Sequence, residues 1–206
     1  MHSRLLHSAT THYLQLMSVI QGVVLGYGVY NLEAKYSMLS TADILFVVTT
    51  LLMVMTVWDE YQLGAAVYIW VPGYRDSIIP FLFGITELLM VKSIGKDINI
   101  WFRYAAVFAV LSLIAYVNMY RSAGKEKINE YVLDRVKIYI RINYIFCTAS
   151  VIIFILCWKV SSIKYNTILF MEKNVFLARL SLLTMLIFCI RGLLCRKKIV
   201  SIAKQN

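Results

Sequence analysis

The sequence is poor in charge and in the residues that break regular structure. It has 2 Pro and 9 Gly among 206 residues, and only 16% of its residues are charged. So few chain breakers exclude collagen-like, linker-rich and turn-dense all-β proteins. Intrinsic disorder is excluded by 60% hydrophobic residues and a mean hydropathy of +0.70, because disordered chains have low hydrophobicity. Soluble domains average about 45–50% apolar and about 25% charged residues. The composition therefore predicts an integral membrane protein.

Motifs for catalysis and for metal or cofactor binding are also lacking. The sequence has no G-x-S-x-G, Walker A or H-E-x-x-H motif. Its three histidines, His2, His7 and His12, are five residues apart and so do not share one helix face. The cysteines form no C-x-x-C pair, and we interpret them as small buried hydrophobes: Cys147, Cys157, Cys189 and Cys195. We predict a non-enzymatic protein without a cofactor or a metal.

Six stretches approach the length of about 20 apolar residues that crosses a bilayer as a helix. They are Tyr13–Tyr30, Ala42–Trp58, Ser77–Val91, Ile100–Tyr120, Ile142–Trp158 and Val175–Leu194. The fold predicted from them is an all-α, polytopic membrane helical bundle that occupies the whole chain, residues 1–206. Four spans remain if the first and third stretches lie in the interface, so the prediction is four to six transmembrane helices.

Lysine and arginine collect near the ends of these stretches, more of them on the side that carries both termini when six spans are counted. Because cytoplasmic loops are enriched in these residues, this distribution predicts an inner-membrane protein with both termini in the cytoplasm. Trp58, Trp101 and Trp158 lie at predicted span ends, where amphipathic rings favour the membrane interface.

The segment 59–76 is predicted to be a cytoplasmic or interfacial loop between the second and third spans. Its ends are charged, whereas Leu63–Val71 is apolar but too short to span, and Pro72–Gly73 is typical of a turn. Two interpretations fit this pattern: a linker at the level of the lipid headgroups, and a loop that docks a partner or gates a pathway.

Two ionisable residues lie inside predicted spans, where each needs a partner or water. Glu87 precedes Lys92 by five residues and Arg179 follows Lys173 by six. If both lysines mark the outer interface, the two charges lie at a matched depth of roughly 7–9 Å. We predict an intramembrane ion pair between Glu87 and Arg179, which either fixes helix packing or lines a polar pathway or switch.

The segment 121–141 is predicted to be a cytoplasmic basic amphipathic helix. Apolar residues recur at helical spacing from Ile128 to Ile140. The residues expected to dock lipid or a partner are Arg121, Lys125, Lys127, Arg135, Lys137 and Arg141. Such a helix lies on anionic lipid, docks a soluble acidic or nucleic-acid-associated partner, or extends the fifth span into the cytoplasm. Direct sequence-specific binding of nucleic acid is not expected.

The first span contains Gly22 and Gly26 in a G-x-x-x-G spacing. This spacing permits close approach of two membrane helices. It is consistent with a homo-oligomer.

The run Trp58-Asp59-Glu60-Tyr61, the run Pro80-Phe81-Leu82-Phe83-Gly84 and Glu87 occur in a small polytopic chain with a basic cytoplasmic loop. In this overall character the sequence resembles the membrane subunit of the bacterial antiphage system Kiwa. That family has four spans, whereas this sequence has six candidate segments. The resemblance implies an oligomeric inner-membrane sensor in antiphage defence that positions a soluble DNA-binding effector.

The sequence thus leads to one expected function and one alternative. We expect a non-enzymatic, oligomeric sensor or scaffold that recruits or regulates a soluble cytoplasmic partner. The alternative is a small ion channel, transporter or pore-forming effector with Glu87 and Arg179 beside the pathway. Few polar residues occur within the spans, which favours the scaffold.

Overall fold

The computed structural model describes residues 2–68, 74–163, 167–168 and 171–203. Six long helices make up most of this part of the chain: α1 (His2–Glu33), α2 (Thr41–Val67), α3 (Tyr74–Ser93), α4 (Ile98–Ala123), α5 (Glu130–Ser161) and α6 (Lys173–Ala203). Short 3-10 turns cover Tyr36–Met38 and Lys127–Asn129, and a two-residue antiparallel hairpin pairs β1 (Thr167–Ile168) with β2 (Met171–Glu172). The predicted all-α helical bundle is confirmed.

The helices pack as a closed ring in the order α1, α3, α4, α5, α6, α2. Their directions alternate along the chain, so the connections fall at two opposite ends. We call the end with the α1–α2, α3–α4 and α5–α6 connections the turn end. We call the end with the α2–α3 and α4–α5 connections, together with the C-terminal part of α6, the basic end.

The α1–α2 and α3–α4 connections at the turn end are short and bonded to each other. Ser40 caps α2 through reciprocal hydrogen bonds with Asp43, and the other Asp43 oxygen accepts the Gly95 N–H at 3.0 Å. Gly95 has φ 73°, a backbone conformation that suits glycine. Lys35 Nζ donates to the Ile94 carbonyl at 3.2 Å, and partial burial lowers the pKa of this lysine. The α1–α2 and α3–α4 turns are therefore held together.

Aromatic side chains fill the centre of the bundle. Trp101 is 1% exposed, contacts Phe46 and Phe154, and donates from Nε1 to the Thr50 hydroxyl at 3.1 Å. Its assignment to the membrane interface was wrong, because α4 begins at Ile98 and turns this ring inward. Trp58, by contrast, is 39% exposed.

The outer surface of the bundle is apolar. Five helices in the described residues are long and apolar enough to cross a membrane: His12–Glu33, Thr41–Val67, Ile98–Ala123, Glu130–Ser161 and Lys173–Ser201. Only 28% to 39% of the most apolar window of each is buried, so most of its apolar side chains face outward. A surface of this kind is suited to lipid. The chain is therefore a membrane-embedded protein.

The third predicted span forms α3, which is not one of those five helices. It is 20 residues long and includes Arg75, Asp76, Glu87 and Lys92. Pro80 lies in its second turn. The helix nevertheless packs laterally between α1 and α4, with Phe83 and Met90 buried.

Several helices continue past the predicted span ends on one side of the bundle. α2 extends through Asp59 to Val67, so the first half of the predicted 59–76 loop is helical. The predicted Pro72–Gly73 turn lies outside the described residues, and α3 begins at Tyr74. α5 starts at Glu130, twelve residues before the predicted span. Hydropathy shows where an apolar run ends, but a helix continues for as long as its backbone hydrogen bonds do.

Candidate functional site

The bundle encloses a cavity of about 80 Å³ between α2, α3, α4, α5 and α6. Its wall is mostly aromatic and aliphatic and includes Phe83, Phe108, Phe154 and Phe188. Polar side chains from three helices also reach it, among them Glu60 of α2, Tyr116 of α4 and Asn143 of α5. This is the place in the described residues where a cavity and a partly buried ion pair adjoin, and we treat it as the candidate site.

Asn143 and Tyr116 join α5 to α4 at the cavity wall. The Asn143 Nδ2 donates to the Tyr116 hydroxyl oxygen at 2.7 Å, and Asn143 is 4% exposed. Its Oδ1 atom has no hydrogen-bond partner among the described residues. The site therefore retains one unused buried acceptor, and such an atom costs about 1–3 kcal/mol when it stays unsatisfied.

Glu60 forms a partly buried ion pair with Arg191 of α6. The Arg191 Nη2 donates to Glu60 Oε1 at 2.9 Å, and the exposed fractions of the two side chains are 7% for Arg191 and 21% for Glu60. The guanidinium carbon also lies 4.3 Å from the ring centroid of Phe188 and 5.7 Å from that of Phe146. Aromatic faces attract a cation, so Arg191 is held by α2, by α5 and by its own helix.

A second ion pair joins the same two helices nearer the surface. Arg196 donates to Asp59, and both side chains are about two-fifths exposed. The Thr56 hydroxyl approaches the Cys189 sulfur at 3.3 Å. Three successive polar contacts thus align α2 with α6 over the last part of each helix.

The sequence analysis missed these pairs because Asp59 and Glu60 were assigned to a loop. A signal was present: two adjacent acidic residues follow Trp58, and two arginines, Arg191 and Arg196, lie near the predicted end of the sixth span. All four charges lie near the predicted ends of the second and sixth spans. Arg191 in particular lies within the predicted sixth span and so needed a partner.

The predicted ion pair between Glu87 and Arg179 does not form. Glu87 is fully buried, and its Oε1 accepts a hydrogen bond from Gln21 Nε2 of α1 at 3.4 Å. Arg179 has an exposed side chain on α6, a helix that is not a neighbour of α3 in the ring. The two residues match in depth but face different directions, and depth alone does not determine the direction around a helix axis.

All six basic residues predicted to dock a partner are exposed. Arg121 ends α4, Lys125 and Lys127 lie in the connection, and the remaining three project from the first turns of α5. Arg135 lies over the Tyr131 ring at 4.4 Å from its centroid. One of the alternatives for segment 121–141 was an extension of the fifth span. From Glu130 onward the backbone has this form, because α5 runs without interruption from Glu130 to Ser161.

Part of the apolar stripe of this segment is turned inward. Val132, Val136 and Ile140 are buried, and Val136 has no exposed surface. Asn129, which precedes α5, donates to the Ala123 carbonyl at 2.8 Å and closes the α4–α5 connection. Tyr131 and Ile138 are exposed, however, so the segment presents both charge and two apolar side chains outward.

The structure also locates the paired glycines of α1 and the four cysteines. Gly22 and Gly26 face away from the bundle, with nothing within 4 Å of an added Cβ. The four cysteines are free thiols, and all but Cys189 are buried. Among the described residues, no group of three or more histidine, cysteine or acidic side chains is arranged to hold a metal ion.

No family model matches the chain, and no significantly similar curated protein or solved structure was found.

Proposed function

We propose that this protein is a non-enzymatic membrane scaffold that docks an acidic or nucleic-acid-associated soluble partner on the exposed basic residues of segment 121–141. The proposal places the basic end in the cytoplasm and the bundle in the inner membrane. It also keeps the sensor role, and the role in antiphage defence, that the resemblance to the Kiwa membrane subunit implies.

The observation that carries the proposal is the opposite orientation of charge and apolar surface in this segment. All six basic side chains are exposed, whereas Val132, Val136 and Ile140 pack inside the bundle. A helix that binds the membrane surface needs its apolar face free for lipid. Here Val132, Val136 and Ile140 are packed inside the bundle, so we base the docking role on the exposed charge rather than on lipid insertion.

The length of α5 also supports a docking role. Twelve residues of the helix precede the predicted fifth span, and at 1.5 Å per residue they extend about 18 Å. At physiological ionic strength, exposed charges act over about 8 Å. The distal part of the basic surface is thus far enough from the headgroups to attract a soluble partner.

The test is binding of a defined acidic probe to the full chain in nanodiscs of zwitterionic lipid. We expect a fluorescent poly-glutamate peptide to bind, and we expect added salt to weaken the binding. The triple variant Lys125→Glu, Lys127→Glu, Lys137→Glu is expected to abolish it.

The matched control reverses three exposed lysines near the turn end: Lys92, Lys96 and Lys159. This control changes the net charge equally and is expected to retain binding. Equal loss in both triple variants would show a response to net charge alone and would contradict the docking surface.

The expected homo-oligomer is best accommodated at the outward face of α1. Gly22 and Gly26 have open space beside them, and small residues let two membrane helices approach closely. Replacing both by leucine is expected to lower the number of chains per particle in native mass spectrometry. An unchanged number would move the contact elsewhere.

The alternative function is a channel or pore, and the observation that favours it is the central cavity beside Glu60 and Arg191. Its wall is mainly apolar, which favours the scaffold instead. Liposomes containing the protein decide between the two. Ion or dye flux that changes in Glu60→Gln would support the pore, and tight liposomes would support the scaffold.

A further inference from the structure

Glu87 and Gln21 form a polar contact inside the bundle that is distinct from the candidate site. Glu87 of α3 has no exposed surface and Gln21 of α1 is 3% exposed. One hydrogen bond joins them, from Gln21 Nε2 to Glu87 Oε1. Glu87 lies six residues before the end of α3 at Ser93, which is about 9 Å from the turn end.

The close approach of α1 and α3 at this point depends on Gly84. A Cβ at Gly84 would lie 2.5 Å from Ile20 Cγ2 of α1, a separation that real Cβ atoms do not adopt. Gly84 is one turn before Glu87, and Ile20 immediately precedes Gln21. The missing side chain therefore lets the two helices approach until the amide reaches the carboxyl group.

Two buried oxygen atoms in this contact are unsatisfied. Glu87 Oε2 and Gln21 Oε1 have no hydrogen-bond partner among the described residues. If Glu87 were ionised, both atoms would be acceptors without a donor, and a buried charge would lack a cation. Burial of an unpaired charge at this depth costs several kcal/mol.

The charged and titratable groups named here on the helices around α3 have other contacts or are exposed. Arg103 of α4 lies over the Trp158 ring, and the rings of Tyr13 of α1 and Tyr61 of α2 lie 5.6 Å apart. Lys35 and Asp43 bond within the turn end, and Lys92 of α3 itself is exposed. In the described residues, the Gln21 amide is thus the polar partner that faces Glu87.

We infer that Glu87 and Gln21 form a proton-binding site in which Glu87 is a neutral acid paired reciprocally with the Gln21 amide. The proton resides on Glu87 Oε2 and is donated to Gln21 Oε1, while Gln21 Nε2 donates to Glu87 Oε1. One added proton satisfies both unpaired oxygens and removes the buried charge. Carboxylic acids in apolar protein sites stay neutral and donate in this way.

The bound proton holds α1 against α3. When the proton leaves, the buried carboxylate and the amide oxygen face each other without a donor, and the contact between the helices weakens. The site lies in the half of the bundle opposite the basic end, so it does not depend on the proposed docking function. It responds to protons that enter from the turn end.

The test is infrared spectroscopy of the full chain in detergent at neutral pH, with Glu87→Gln as the comparison. A protonated carboxyl group absorbs at a higher frequency than a carboxylate or an amide. We expect one such band in the wild type and its loss in Glu87→Gln. A difference spectrum that contains only carboxylate bands would overturn the inference.

Gln21→Met then separates the proton from the reciprocal pairing. This variant preserves side-chain length but removes the amide, so the acid band is expected to shift upward as its hydrogen bond is lost. An unshifted band would overturn the pairing with Gln21.

Thermal unfolding gives a readout that does not depend on spectral assignment. The folded state keeps the proton while the unfolded chain releases it, so the wild-type midpoint is expected to fall with rising pH relative to Glu87→Gln. Glu33→Gln, the same change at an exposed position of α1, is expected to follow the wild type. Parallel curves for wild type and Glu87→Gln would overturn the inference.

Discussion

The bundle contains two inward-facing glutamates, one in each half: Glu60 is partly buried and Glu87 is fully buried. Glu60 lies seven residues from the basic end of α2 and is paired with Arg191. Glu87 lies six residues from the turn end of α3 and has an amide as its partner. A guanidinium stabilises a carboxylate, so the charge of Glu60 is set by its partner. The Gln21 amide can also form hydrogen bonds with a protonated carboxyl group, which is the state inferred for Glu87.

The largest effect is expected when the cation that pairs with Glu60 is removed. Arg191→Leu leaves the partly buried Glu60 without its cation, and we expect a loss of up to about 3–5 kcal/mol in the free energy of unfolding. The measurement is thermal unfolding in detergent, followed by a thiol-reactive dye that reports exposure of the buried Cys147 and Cys157.

The double variant Glu60→Leu, Arg191→Leu is the control, because it removes both charges. It is expected to recover most of the lost stability, since apolar replacement of a whole buried pair is often neutral or stabilising. If the double variant is as unstable as the single one, the loss comes from packing of Arg191 on Phe188 and Phe146.

The same conservative change at both glutamates tests whether their charge states differ. Glu60→Gln removes the charge that Arg191 requires, and loss of a charged hydrogen bond costs about 1.5–3 kcal/mol. Glu87→Gln exchanges a neutral acid for a neutral amide of the same shape that keeps both hydrogen bonds to Gln21, and we expect a smaller loss than for Glu60→Gln at neutral pH. Similar losses in the two variants would show that Glu87 is also ionised.

A smaller effect is expected from Gly84→Ala, which tests the helix spacing at Glu87. The added methyl group collides with Ile20 of α1, and overpacking of this kind costs at least about 1 kcal/mol. The matched control is Gly28→Ala on α1, where the nearest atoms of Val91 are 4.0 Å from the added Cβ. Retained stability in Gly84→Ala would mean that α1 shifts freely, and it would contradict a tight contact at Gln21.

The smallest effect is expected at the outer ion pair. Arg196 and Asp59 are both substantially exposed, and exposed pairs contribute about 0–1 kcal/mol. Arg196→Leu should therefore shift the unfolding midpoint far less than Arg191→Leu. Equal shifts would show that the two pairs stabilise α2 and α6 as one unit.

The positions of the helices were predicted more accurately than the contacts between them. Every predicted span lies within a helix, because apolar runs of this length have no other stable backbone structure in lipid. The ends were misjudged where helices continue past the apolar runs, as at Asp59 of α2 and Glu130 of α5. The depth argument correctly identified Glu87 as a residue that needs a partner, but it named Arg179 instead of Gln21.

The spacing of apolar residues could not correct this error. Most spans are apolar on all sides because one face contacts lipid and the other contacts neighbouring helices. The amphipathic part of α5 is the informative exception, since its inward side chains, Val132, Val136 and Ile140, follow the predicted stripe. Outside the membrane, water makes the two faces of a helix chemically different, and the pattern becomes visible.

Composition and hydropathy by themselves determined that this chain is a bundle of membrane helices, because lipid requires each long apolar segment to satisfy its own backbone. The tertiary structure decided which buried polar groups meet. Glu60 meets Arg191 because α2 and α6 are neighbours in the ring, and Glu87 meets Gln21 because Gly84 lets α1 approach α3. Helix order and rotation arise from packing among many similar apolar surfaces, and no local pattern in the sequence specifies them.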